Sequence, residues 1–273
     1  MPRFAANIST MFTDRPFAER IQAAAGAGFN AVECQFPYEV GADELESRLD
    51  HAGLDLVLLN TPAGDFAAGE RGLAGLPGRE GEFRAGLERA LEYASRLGCP
   101  QIHVMAGVQP DGVGRDACLA VYKSNLRIAA DACGRAGKLA VIEPINTRDI
   151  PGYLLNTPAE AAAIIEELGA HELRLQFDFY HVQIMTGDLA RSFERHLPLI
   201  GHVQVAGVPE RHEPDVGEIN YPYLFELMDR LGYTGWVGCE YFPAASAEEG
   251  LGWAYGYGIA PRSTTLATGG ERV

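Results

Sequence analysis

The chain has 273 residues, 47% of them hydrophobic and 22% charged, which suits a globular protein with a substantial core in one large domain or two small ones. A formal net charge of −15 and a pI near 4.9 repel nucleic-acid phosphates and anionic membrane surfaces, and exclude both as general partners. Five cysteines without a Cys-x-x-Cys pair argue against a disulfide framework and a structural zinc site; Cys34, Cys99, Cys118, Cys133 and Cys239 read as reduced core residues.

In chain order, short apolar runs alternate with longer segments of helical spacing. Residues 4–8 predict a strand and 16–27 a helix, with Phe17, Ile21 and Ala24 on one face and Gly28 as its stop. No charged leader with an apolar core precedes them, and no run is long enough to span a membrane, so the expectation is a soluble, cytoplasmic protein. Residues 29–34 form the second predicted strand, 43–51 the second helix and 54–59 the third strand. Next comes a glycine-rich connection through Gly64, Gly69 and Gly72, whose 65–79 portion is long enough to predict a lid or binding loop. A helix over 83–97, a strand over 101–105 and a helix over 116–132 follow.

The fifth strand, Leu139-Ala140-Val141-Ile142-Glu143, stops on a carboxylate and is broken by Pro144. The helix after it has sharp punctuation: Thr157 as N-cap, Pro158 at the first position, Glu160 three residues past the cap, and Gly169 at the far end. Strand six ends on Asp178, a helix spans 189–196, and strand seven ends on Gln204. A second long connection, with Arg211 and His212 in it, leads to a helix over 223–231, a strand ending on Glu240, and a last helix over 247–255.

Eight strands each followed by a helix, with no linker between them, predict an α/β fold: a (β/α)8 TIM barrel in a single domain over residues 1–257, with a flexible C-terminal tail over 258–273. A doubly wound sheet is the alternative, because periodicity does not distinguish closed from open. The four polar strand ends, Glu143, Asp178, Gln204 and Glu240, are roughly one strand-loop-helix unit apart, so in a barrel all four sit at the same mouth. Converging carboxylates repel one another in a dry site, and a divalent cation relieves them. Three carboxylates and an amide oxygen form a hard, all-oxygen set suited to Mg²⁺ or Mn²⁺. His181 and Arg211 lie on the adjoining loops, Arg211 as a candidate to hold a substrate carboxylate; His103 and His202 read as nearer to structural.

Several runs resemble the hydroxypyruvate isomerase family over nearly the whole chain. They include Arg3-Phe4-Ala5-Ala6-Asn7, Ala68-Gly69-Glu70-Arg71-Gly72, Ile142-Glu143-Pro144-Ile145-Asn146, Asp178-Phe179-Tyr180-His181, Gly217-Glu218-Ile219-Asn220-Tyr221 and Trp236-Val237-Gly238-Cys239-Glu240-Tyr241. That family belongs to the xylose-isomerase-like barrels. The resemblance implies that Glu143, Asp178, Gln204 and Glu240 bind the metal, that Glu143 and Glu240 exchange protons with the substrate, and that His181 and Arg211 bind it. Val104-Met105-Ala106-Gly107 and Ala206-Gly207 look more like the sister group that isomerises 2-oxo-tetronate phosphates or related acids. The expected reaction converts hydroxypyruvate to tartronate semialdehyde through an enediolate stabilised by the cation, one glutamate acting as base and the other as acid. Alternatives are a 2-oxo-tetronate (phosphate) isomerase, a ketose 3-epimerase, a phosphodiesterase of the apurinic-endonuclease kind, and a non-catalytic sugar-acid binder. The expected partner is a small anionic 2-oxo or hydroxy acid, with no nucleic acid and no membrane; the oligomeric state is open, and a homo-oligomer is compatible with the sequence.

Overall fold

Each strand pairs in parallel with its sequence neighbour, and β8 returns to pair with β1, so the sheet closes on itself. In the computed structural model, which describes residues 1–262, the strands are β1 (Arg3–Asn7), β2 (Ala31–Cys34), β3 (Asp55–Asn60), β4 (Gln101–His103), β5 (Leu139–Ile142), β6 (Leu173–Asp178), β7 (Ile200–Val205) and β8 (Trp236–Cys239). Around them run α1 (Arg20–Gly26), α2 (Ala42–Ala52), α3 (Glu80–Arg96), α4 (Arg115–Arg135), α5 (Pro158–Leu168), α6 (Phe179–Met185), α7 (Leu189–His196) and α8 (Tyr221–Arg230). This is the predicted (β/α)8 barrel, and closure rules out the doubly wound alternative. All five cysteines are buried and free, as expected.

Alternation along the strands decides what faces the lumen. On β6, Leu173, Leu175 and Phe177 join the apolar core, while Gln176 and Asp178 hydrogen-bond within the polar interior. Ala5, Ala31 and Val57 form a separate small cluster with Trp236. Outside the sheet, Phe177 meets Phe179 and Phe193 at ring-centroid distances of 5.0 and 5.7 Å, tying β6, α6 and α7 together. Burying such rings supplies on the order of 2 kcal/mol each.

Local sequence explains the boundaries. Thr157 accepts the Glu160 N–H at 3.2 Å and Glu160 accepts the Thr157 N–H at 3.1 Å, the reciprocal cap that the spacing predicts, and Gly169 closes α5 in the left-handed conformation. β5 and β8 stop one residue short of Glu143 and Glu240, so both carboxylates begin the loops at the barrel mouth. Helix α6 was not predicted. It starts directly after β6, whose last residue, Asp178, is its N-cap and accepts the Tyr180 N–H at 2.8 Å, so no polar loop announces it. The last segment, Glu249–Tyr257, is 3₁₀. Of the expected tail, Ile259 is buried and Arg262 donates to the Phe29 carbonyl at 2.9 Å. Residues 263–273 lie outside the described residues.

Replacing Thr157 by Ala removes the cap oxygen without touching the barrel mouth. The expected cost is about 1 kcal/mol of stability, read as a lower urea midpoint at unchanged slope; an unchanged midpoint would contradict the cap.

Candidate active site

Four side chains from the ends of β5, β6 and β8 converge at the mouth. Glu143, Asp178, His181 and Glu240 are all buried, and each offers one ligand atom within 4.8 Å of the others. Asp178 comes from the end of β6, His181 from the first turn of α6, and the glutamates from the residues after β5 and β8. Gln204 pairs in register with Asp178 across β6 and β7, and its amide is committed at both ends: Oε1 accepts from Gln176 at 2.6 Å and Nε2 donates to Glu33 at 2.7 Å. Its oxygen keeps a second lone pair.

The two glutamates differ in what surrounds them. Glu240 is held by Asn7 (3.1 Å) and Gln35 (2.9 Å) on one oxygen and by Arg211 (2.6 Å) on the other. Glu143 Oε1 and Asp178 Oδ2 are buried with no hydrogen-bond partner among the described residues. Burial first, then Glu240 and Asp178, pushes the Glu143 pKa well above the usual carboxylate range. Burial likewise raises Asp178, to about 7, against the pull of Arg211, and it raises Glu240 against the same arginine. Buried carboxylate oxygens without a partner are groups that a bound cation would satisfy. The donor set therefore fits a metal: this buried carboxylate and histidine group can hold one.

His181 belongs to that group by distance, but its hydrogen bonds give it another task. Asn146 Oδ1 accepts the backbone N–H of Asp149 at 2.8 Å, which fixes the amide's orientation. Asn146 Nδ2 therefore faces His181 Nδ1, 2.7 Å away, and donates to it. The proton of the neutral ring then sits on Nε2, the nitrogen lying 3.8 Å from Glu143 and 3.6 Å from Asp178. Burial, then Arg211 and His103, keeps the His181 pKa well below its ordinary value. A neutral ring aiming Nε2–H into the site is a donor, leaving the three carboxylates as the oxygen donors of the group.

Arg211 reaches the mouth from the β7–α8 connection with φ 59, a left-handed backbone uncommon outside glycine. Its guanidinium bonds Glu240, lies 3.6 Å from Asp149 and stacks 4.9 Å from the Tyr180 ring centre. Burial alone would lower its pKa; Glu240, Asp178 and Glu143 outweigh that and raise it. The two histidines read as structural part company. His202 lies within 2.6 Å of Glu33 in the lumen, whereas His103 joins the cavity wall, its Nδ1 3.6 Å from Glu143, with burial and His202 pushing its pKa down to about 3. The cavity that these groups share has a volume of about 220 Å³, sized for a small molecule.

Glu33, Asn7, Gln35, Asn146 and Gln176 escaped sequence reasoning. Glu33 is fully buried and accepts from Asn7, His202 and Gln204. For Asn7, Glu33 and Gln176 the available signal was a polar residue on the lumen-facing alternation of an apolar strand; Gln35 and Asn146 lie past the strand ends and gave none.

The model of the xylose isomerase-like TIM barrel family matches residues 21–257, and the chain belongs to that family. It is 57% identical to the 2-oxo-tetronate isomerase of Cupriavidus necator, covering 94% of this chain and 99% of the relative. It is 44% identical to the hydroxypyruvate isomerase of Escherichia coli, covering 93% and 98%. A crystal structure described as AP endonuclease, family 2, from Brucella melitensis superposes with a TM-score of 0.92 at 48% identity, covering 94% and 99%. The chain is thus an isomerase of this family.

Asn146→Asp replaces a donor by an acceptor and should move the His181 proton from Nε2 to Nδ1. Nitrogen-15 spectra of histidine-labelled protein should report the exchange; an unchanged ring pattern would refute the tautomer assigned by the network.

Proposed function

We propose that the enzyme moves a carbonyl between C2 and C3 of a short sugar acid, with 2-oxo-tetronate as the substrate and hydroxypyruvate as the second reading. Sequence motifs point to both groups. The balance is tipped by 57% identity to the Cupriavidus necator enzyme against 44% to the Escherichia coli one, together with the runs at 104–107 and 206–207. The chemistry is common to both, since the two acids share C1 to C3 and differ by one hydroxymethyl group. The observation that carries the reading is that Glu143, His181 and Glu240 line one small cavity, with Asp178 offering an oxygen within 4.8 Å of theirs.

In this reading Glu143, Asp178, Gln204 and Glu240 hold Mg²⁺ or Mn²⁺. The cation supplies positive charge against substrate oxygens as they become anionic. One glutamate removes the C3 proton and the C–H electron pair becomes the C2–C3 double bond as O2 takes up the carbonyl electrons; the other glutamate delivers a proton to C2, and the O3 hydroxyl proton passes to O2 as O3 becomes the carbonyl. In the reverse direction the two exchange roles. His181 Nε2–H donates to a substrate oxygen, and Arg211 fixes the Glu240 carboxylate while touching the substrate from the same side. The 65–79 connection, which brings Phe66 and Arg71 to the cavity, excludes water from the reactive intermediate.

The endonuclease description of the Brucella melitensis structure does not extend to this chain in our reading. A net charge of −15 and a cavity wall bearing Glu143, Asp149 and Glu240 oppose a phosphate polymer. No helix among the described residues is long and apolar enough to cross a membrane.

Glu240→Gln should lower kcat by about a thousandfold with the fold intact, measured by proton NMR on 2-oxo-tetronate and hydroxypyruvate; a variant keeping a tenth of the activity would exclude Glu240 as acid or base. Chelation should silence the enzyme and Mg²⁺ or Mn²⁺ should restore it, so full activity after verified metal removal would end the metal reading.

A further inference from the structure

The cavity wall carries a second arginine, for which the reaction has so far had no use. Arg71, on the β3–α3 connection, lines the same space as Glu143, Glu240 and Arg211. Its Nη1 donates to the carbonyls of Phe66 (3.0 Å) and Glu70 (2.8 Å), and its guanidinium lies 3.7 Å from the centre of the Phe66 ring. These contacts orient the group and leave its charge unneutralised. The adjacent carboxylate is turned elsewhere: Glu70 accepts the Asp65 N–H at 2.6 Å and pairs with Arg79 at 2.7 Å. Among the described residues no carboxylate forms an ion pair with Arg71, whereas Arg211 is committed to Glu240 and Asp149.

The backbone beneath Arg71 is fixed even though the loop tip is exposed. Gly72, at φ 114, lies so close to the chain after β4 that a Cβ would stand 2.5 Å from the Met105 carbonyl oxygen. Its N–H donates to Ala63 at 2.9 Å, Gly75 donates to Ala106 at 2.7 Å, and Asn125 on α4 donates to the Ala74 carbonyl at 2.8 Å. Phe36 and Phe66, with ring centres 5.6 Å apart, add an apolar flank that strengthens any charge pair formed there.

We infer that Arg71 is the carboxylate anchor of the cavity, taking the C1 carboxylate of a short sugar acid on the Nε and Nη2 hydrogens that its protein contacts leave unused. It thereby sets a preference for acids over neutral ketoses. The inference rests on the isomerase reading for its substrate, but the binding it requires is measurable without turnover.

Glycerate and glycerol differ only in a carboxylate against a hydroxymethyl group, so their affinities for the protein supplied with Mg²⁺ isolate the anchor. The parent should bind glycerate more tightly than glycerol. Arg71→Met should weaken glycerate by about 30-fold, the worth of charge-assisted hydrogen bonds, and glycerol by less than about twofold. Arg71→Lys should fall between parent and Arg71→Met, because a point charge replaces a planar fork. In turnover, Arg71→Met should raise KM for the acid while kcat falls less than about threefold. Equal losses for glycerate and glycerol, or unchanged glycerate affinity in a variant with the parental Tm, would overturn the inference; Arg71→Gln gives the same reading if the Met variant lowers Tm. Arg71-dependent glycerate binding in a protein that isomerises neither acid would keep the anchor and remove the isomerase reading. Isomerisation with a KM indifferent to Arg71 would do the reverse.

Discussion

Repulsion among Glu143, Asp178 and Glu240 in one dry barrel mouth is the constraint that the surrounding structure answers. Two like charges about 4 Å apart cost on the order of 4 kcal/mol at an effective dielectric of about 20, and burial adds to it. The protein compensates only one of the three in full, spending Asn7, Gln35 and Arg211 on Glu240. Glu143 Oε1 and Asp178 Oδ2 keep no partner among the described residues. An arginine aimed at them would have stabilised the fold more simply. Their bareness leaves two buried oxygens free to take a ligand.

A second buried carboxylate supports this arrangement from within the lumen. Glu33 accepts from Asn7, His202 and Gln204, joining β1, β2 and β7, and Asn7 bridges onward to Glu240. Gln204 is thereby locked with its amide N–H on Glu33 and its oxygen toward Gln176, two residues before Asp178 on β6. Gly238 makes room for the network, because a Cβ there would lie 2.2 Å from Glu33 Oε2. The polar lumen is thus one connected object, in which moving a single carboxylate disturbs the others.

The barrel was legible in the sequence because each strand is short, apolar and followed by helical spacing, and because capping residues such as Thr157, Glu160 and Gly169 act locally. Glu143, Asp178 and Glu240 were legible for a related reason: a carboxylate ending an apolar run breaks the pattern that burial demands. Glu33 breaks it too, yet went unnoticed in its four-residue strand, where alternation has little length to show. Asn146 was invisible as a functional residue, since its role is to hold one nitrogen of His181, and that pairing exists only when the loop after β5 meets α6, 35 residues further along the chain. Helix α6 hid because Asp178 serves as strand end and N-cap at once, so strand and helix signals overlap.

The remaining tension is between the protein's field and its proposed cargo. A chain of net charge −15 repels small anions at long range, so a sugar acid must be drawn in by charge that acts only at close quarters. The cavity offers such charge asymmetrically. Arg211 is spent on Glu240 and Asp149, and His181 and His103 are held neutral by burial. A divalent cation at the carboxylates would balance charge on the reacting carbons' side, while the wall formed by Phe36, Phe66 and Arg71 has one positive group and no acid of its own. In the proposed binding mode, an acid held between those two poles directs its carboxylate to the loop and its C2 and C3 to the glutamates. A neutral sugar, gaining nothing at the loop, has no such reason to take one orientation.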